Sequence, residues 1–168
     1  MRKLITVIAI GFSLWLAPVA AQTLDTPQGD VVLTISGDIA DTNDGNVARF
    51  DMEMLEAMEQ VSFETTTLWT EGTSAFTGVP LAALLDRLGV TEGTIRASAI
   101  NDYSIEIPVE SVTETAPIVA YQLDGAAMPR RQKGPLWIVY PYDSDAAFRT
   151  EVIYSRSIWQ LDRLEVVQ

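Results

Sequence analysis

What most limits the folds open to this chain is the shortness of its ordered runs. Alternating or β-branched stretches recur at Val31–Ile35, Val61–Leu68, Thr94–Ile100, Tyr103–Ile107, Ile118–Leu123, Leu136–Tyr140 and Leu164–Val167. Runs of this length place successive side chains on opposite faces and read as strands. Trp69 ends the second of them, and a loop holding Gly72, Gly78 and Pro80 is expected to follow it. Helical spacing appears only in short pieces. Asp51 can cap a helix that puts Met52, Leu55 and Met58 on one face as core filler. Leu81, Leu84, Leu85 and Leu88 form the stripe of a second helix, with Pro80 at its first position and Gly89 as its stop. Asp124-Gly125 is a hairpin turn. Many short strands with two or three short helices predict an α+β domain. Asp41–Asn46 is rich in turn residues but lacks the twelve-residue spacing and closing glutamate of a calcium loop.

The sequence contains no cysteine and no histidine. Disulfides, thiolate catalysis, the usual zinc sites and any Ser-His-Asp triad are therefore excluded together. Carboxylates, tyrosines, arginines and Lys133 are left to carry polar chemistry. With 23 acidic against 11 basic residues the formal net charge is −12. Such a surface repels phosphate backbones, so nucleic acid is not an expected partner.

Residues 1–21 read as an export leader. Arg2 and Lys3 precede an apolar run from Leu4 to Leu16, and Ala17-Pro18-Val19-Ala20-Ala21 offers small residues to a signal peptidase. Cleavage is expected between Ala21 and Gln22, leaving residues 22–168 as one domain in the periplasm. The apolar run is shorter than the ~20 residues of a bilayer span, which favours a removed leader over a retained anchor. Loss of Arg2 and Lys3 takes the net charge from −12 to −14.

Three stretches carry a family likeness in order along residues 31–167. Phe76-Thr77-Gly78-Val79-Pro80-Leu81, with Leu84-Leu85 and Gly89-Val90 behind it, resembles the segment after the active-site strand of sulfite-oxidase-type molybdopterin-binding domains. Gly134-Pro135-Leu136-Trp137-Ile138-Val139-Tyr140-Pro141 resembles that family's Gly-x-Pro-Leu strand. Arg156-Ser157-Ile158-Trp159-Gln160-Leu161 is similar to its Arg-x-Val-Lys-Trp-Leu element, and Asn101-Asp102-Tyr103-Ser104 falls at its polar turn beside the cofactor. The resemblance implies mixed sheets with a few short helices. It also marks two departures. The family's molybdenum-binding cysteine falls near Thr65–Thr67, where hydroxyls cannot replace a soft thiolate. The family's lysine position holds Trp159, which removes a cation and supplies an indole suited to stacking on a flat ring.

Both departures point from oxidase chemistry towards ligand binding. The resemblance extends to a small, cysteine-less group of periplasmic pterin-binding proteins. These partner the periplasmic region of an inner-membrane signalling protein, either an enzyme of cyclic di-GMP or a sensor kinase. The implied function is a non-catalytic pterin sensor with no metal centre. The alternatives are a molybdopterin-dependent oxidoreductase and a ligand-free interaction module.

A pterin presents flat apolar faces and a guanidine-like donor edge, so its site needs aromatic walls and an acceptor. Trp159 and then Trp69 are the expected stacking faces, with Trp137 structural. Asp102, flanked by Asn101 and Tyr103, is the expected reader of the polar edge, and Asp143 is held in reserve. Arg130, Arg131 and Lys133 concentrate positive charge in an acidic chain, where they could hold an anionic ligand tail or an acidic partner. Arg156 is expected near the ligand from its place in the family element.

Overall fold

A computed structural model describes residues 24–168. The leader expected at residues 1–21, with its cleavage point after Ala21, lies outside the described residues. The first strand, β1 (Val31–Gly37), buries Leu33 and Ile35 completely while their neighbours face the other way. It pairs antiparallel with β2 (Ala48–Asp51), and the chain then enters α1 (Met52–Glu56). Asp51 caps that helix as expected: its carboxylate accepts the Met54 N–H at 2.9 Å, along with the Gln28 and Gly29 N–H groups. Leu55 is the fully buried member of the helix, with Met52 and Met58 packed partly against the core.

Next come β3 (Val61–Thr66), β4 (Thr73–Pro80) and α2 (Leu81–Arg87). The four predicted leucines of α2 are all buried. Its end is closed by Val90 N–H donating to the Leu85 carbonyl at 2.9 Å and Gly89 N–H to Asp86 at 3.1 Å, the paired bonds of a Schellman stop. The segment expected as a loop around Gly78 is instead the strand β4. Its glycine is required by close approach rather than by a turn, and Pro80 stands immediately before the first residue of α2. A Cβ on Gly78 would lie 2.2 Å from the Val119 carbonyl oxygen, where a register shift brings β4 against its neighbour.

The remaining elements are β5 (Thr94–Ala99), β6 (Ser104–Pro108), β7 (Ile118–Leu123), β8 (Ala126–Ala127), β9 (Trp137–Val139), α3 (Glu151–Ser155) and β10 (Leu161–Val167). One sheet runs β2-β1-β10-β5-β6, with β1 and β10 parallel and the other pairs antiparallel. The second runs β3-β4-β7-β8, with β9 also paired to β7 beside β8. The fold is thus α+β with mixed sheets and few short helices. The two-residue β8 and the helix α3, which buries none of its side chains fully, have no periodic apolar signal and were not anticipated.

Both sheets share one core, from Leu33 and Ile35 through Phe76, Leu84 and Ile95 to Trp137 and Leu164. The chain between α3 and β10 joins them. Ile138 N–H donates to Ile158 at 2.9 Å and Leu161 N–H to Leu136 at 3.0 Å, while Ile100 N–H donates to Gln160 at 3.0 Å. That seam positions the site. Among the described residues, no helix is long and apolar enough to cross a membrane.

Candidate functional site

An aromatic cluster fills the space at the seam, with Trp69 at its centre. Thr67 sets the direction of that indole: its hydroxyl oxygen accepts the N–H groups of Trp69 and Thr70, both at 2.9 Å, and turns the chain back after β3. The Trp69 ring meets Trp159 at 5.7 Å and 68°, Trp137 at 5.8 Å and 69°, Tyr154 at 6.1 Å and 80°, and Tyr142 at 6.4 Å and 64°. These are edge-to-face geometries, favourable for ring quadrupoles. Trp137 is fully buried and its Nε1–H donates to the Ser157 carbonyl at 3.1 Å, so it is structural, as its strand position implied. Trp159 keeps 38% of its surface exposed.

Against the open side of this cluster lies a cleft of about 310 Å³. Trp69, Tyr154 and Trp159 supply its aromatic walls, and Ala99, Asn101 and Tyr103 come from the end of β5 and the turn into β6. Ser155, Ser157, Ile158 and Gln160 complete it. No lining side chain carries a formal charge, in a protein of net charge −12. The volume lies at the lower end of the ~300–1,000 Å³ range of small-molecule sites and suits a bicyclic ring rather than a large cofactor. Trp69 and Trp159 are mutually edge-on, so a flat ligand stacks on one face rather than between the two.

Gln160 fixes the geometry of the wall. Its φ is +51°, in the left-handed region that non-glycine residues seldom occupy. Four hydrogen bonds hold the adjoining backbone and its side chain. Its N–H donates to Lys133 at 2.9 Å, its carbonyl accepts from Ile100 at 3.0 Å, and its Nε2 donates to the Arg130 carbonyl at 2.7 Å. Leu161 N–H adds the bond to Leu136 described above. Outliers held in this way cluster at functional sites.

Of the residues singled out in the sequence, Trp69, Asn101, Tyr103 and Trp159 converge on the cleft. Asp102 does not. Its φ of +65° swings it away from its neighbours, and its carboxylate binds Arg163 at 2.7 Å on the outside of the sheet. The expected carboxylate reader is therefore replaced by neutral amides. Asn101 accepts the Tyr103 N–H on Oδ1 at 3.2 Å. Arg156 is also turned away: it donates to the Ser111 hydroxyl at 3.3 Å and lies beside Tyr140, whose phenol burial raises well above its ordinary value while the guanidinium opposes the shift. Tyr142 in the same layer is pushed up to about 12, chiefly by burial. Both phenols stay neutral.

Arg130, Arg131 and Lys133 lie outside the aromatic cleft. Lys133 nevertheless places its ammonium 5.5 Å from the ring centroids of both Trp137 and Trp159. A cation thus stands over the indole that occupies the family's lysine position, supplied from a different strand connection. Six cleft residues escaped sequence reasoning: Ala99, Tyr154, Ser155, Ser157, Ile158 and Gln160. Tyr154 sits on a helix too short for periodicity, and nothing local marks Gln160 as left-handed.

A molybdenum centre does not fit the residues at Thr65–Thr67. Thr65 is fully buried and its hydroxyl accepts the Asp143 N–H at 3.1 Å. Thr66 gives both its N–H, at 2.6 Å, and its hydroxyl, at 2.9 Å, to the Asp143 carboxylate. Those bonds hold the Asp143 carboxyl below its ordinary value. Thr67 is committed to the turn before Trp69. The position where the resemblance places a thiolate is a closed staple of hydroxyls, and Asp143 is part of it rather than of the cleft. Among the described residues no three His, Cys, Asp or Glu side chains cluster for a metal. The aromatic cleft, in contrast, fits the pterin ring alone.

Comparison with known proteins agrees with this architecture. The oxidoreductase molybdopterin binding domain matches residues 45–144. Among solved structures, the sulfane dehydrogenase SoxCD from Paracoccus pantotrophus superposes with a TM-score of 0.61 at 18% identity. The alignment covers 86% of this chain and 40% of that one, so this chain spans less than half of its length. At that identity the likeness is one of fold. No curated protein sequence matches the chain.

Proposed function

The chain belongs to the oxidoreductase molybdopterin binding domain family, and on that footing we propose that it binds a pterin without a metal, as a non-catalytic sensor that signals ligand occupancy to a protein partner. The observation that carries this reading is the aromatic cleft of Trp69, Tyr154 and Trp159, next to a hydroxyl staple where a metal-binding thiolate would have to stand. The ring stacks on the half-exposed Trp159 or on Trp69. The Asn101 amide and the side chains of Ser155 and Gln160 supply hydrogen bonds at its edge. No group in the lining is poised as a nucleophile or as a base near neutral pH, which favours binding over turnover.

The reading extends to location and partner. With the leader removed, the domain works in the periplasm and addresses the periplasmic region of an inner-membrane signalling protein, a cyclic di-GMP enzyme or a sensor kinase. The test is protein purified from its native cells. Extraction should release a pterin in near-stoichiometric amount, and elemental analysis should find no molybdenum. Stoichiometric molybdenum would overturn the reading in favour of a molybdopterin-dependent oxidoreductase.

A further inference from the structure

Among the described residues, Arg130, Arg131 and Lys133 form no ion pair with a carboxylate, in a chain that carries 23 acidic residues. Arg49, Arg87, Arg96 and Arg163 each bind a carboxylate within 3.4 Å. None of the three loop cations does, among the described residues. Arg130 senses Asp162 only at longer range, and Lys133 lies over indole rings rather than against a carboxylate.

The loop that carries them is rigidly built. Gln132 N–H and Gly134 N–H both donate to the Pro129 carbonyl, at 2.9 and 3.1 Å. At its base the two ends touch so closely that a Cβ on Gly134 would lie 1.8 Å from the Met128 carbonyl oxygen. The result is a closed ridge between two surface clefts. Lys133 lines one of about 500 Å³, shared with Trp69, Asp124, Ala126 and Met128; Arg130 lines a separate one of about 370 Å³, shared with Asp30, Asp162 and Arg163. Cations that line separate clefts do not gather around one small anion. They match an extended polyanion laid across the ridge.

We propose that the Pro129–Lys133 ridge is the docking surface for an acidic polypeptide segment of a partner, linked to the aromatic cleft through Gln160 and Trp69. The charge is complementary, and a preformed ridge loses little freedom on docking. The linkage rests on the pterin reading above; the docking surface does not. Gln160 lines the aromatic cleft and holds two ridge carbonyls, those of Lys133 and Arg130, at 2.9 and 2.7 Å. Trp69 is a wall of both the aromatic cleft and the 500 Å³ cleft beside Lys133. A ligand that fixes these two residues fixes the ridge, and docking in turn favours the ligand.

The probe is a fluorescein-labelled peptide of alternating Glu and Ser, followed by anisotropy with the full mature domain. A protein this acidic should repel such a peptide unless the ridge captures it. Binding should weaken with added salt and fall about tenfold or more on Arg130→Glu/Arg131→Glu/Lys133→Glu. Arg96→Glu, remote from the ridge, should leave it unchanged. No binding, or equal loss in both variants, would overturn the docking surface. Saturation with unsubstituted pterin should shift peptide affinity in the wild type. Gln160→Asn keeps a residue tolerant of the left-handed backbone but is one methylene too short to reach the Arg130 carbonyl. In that variant, at saturating pterin, the ligand-induced shift in peptide affinity should shrink; an undiminished shift would overturn the Gln160 route. A pterin that leaves tryptophan fluorescence unchanged overturns the cleft reading and the linkage, while the peptide titration without ligand still judges the docking surface.

Discussion

Replacing Trp159 by alanine separates a ligand wall from a core residue. Trp159 is 38% exposed, so about three-fifths of its surface is covered, largely by Trp69 and Trp137. Taking the ~150–250 Å² that a tryptophan buries when enclosed, the covered part is roughly 90–150 Å². At ~25 cal/mol per Å² this is about 2–4 kcal/mol, an upper bound because unfolded chains already hide some apolar surface. A domain with the usual ~5–15 kcal/mol of stability survives that loss, with Tm lowered by about 2–4 °C per kcal/mol. Ligand binding loses more in proportion. Stacking of a base-like ring on an aromatic side chain contributes ~1–3 kcal/mol, which converts to roughly 5- to 150-fold in affinity. The assay is a pterin titration of wild type, Trp159→Ala and Trp159→Phe by calorimetry, with a thermal melt of each in the absence of ligand. Phenylalanine should recover most of the affinity. A folded Trp159→Ala protein with wild-type affinity would refute stacking on this wall, and an unfolded one would refute its role as a half-exposed cleft residue.

Three further outcomes follow from the same geometry. Asp102→Asn, which tolerates the left-handed backbone and removes the charge of the outward pair with Arg163, should leave pterin affinity within about twofold, as measured in the same titration. Thr65→Val should deprive the Asp143 N–H of its buried acceptor and cost about 1–3 kcal/mol in urea unfolding, with ligand affinity intact. Asp51 and Asp143 are both held below their ordinary value of 3.8 by backbone N–H donors, from Gly29 and Met54 in one case and Thr66 in the other. A depressed folded value means their contribution is complete above the ordinary value and is lost as the pH falls through the folded one. Stability should therefore fall as the pH drops below 3.8, and less steeply in Asp51→Asn and Asp143→Asn, by denaturant midpoints measured across acid pH.

The elements legible in the sequence were those whose own residues carry the signal. Val31–Ile35 and the α2 leucines announce their faces through periodicity, Ile118–Leu123 announces burial through its apolar composition, and Asp51 announces its cap. Gly78 misled, because a residue typical of a loop here serves a strand pressed against its neighbour's backbone, whereas Pro80 does mark the start of α2. The site was half legible. Trp69, Asn101, Tyr103 and Trp159 could be named because aromatic and amide residues stand out in these segments. The direction each side chain takes is set elsewhere. Asp102 leaves the cleft because its left-handed backbone delivers it to Arg163, and Lys133 reaches Trp159 because Gln160 ties its backbone there. Such long-range bonds have no local signature.

The most direct test is a titration of the purified protein with oxidised and reduced pterins, read by intrinsic tryptophan emission. With Trp69 and Trp159 in the cleft wall, bound pterin should quench emission saturably at one ligand per protein and raise the melting temperature with its concentration. A full panel that changes neither emission nor melting would contradict the account.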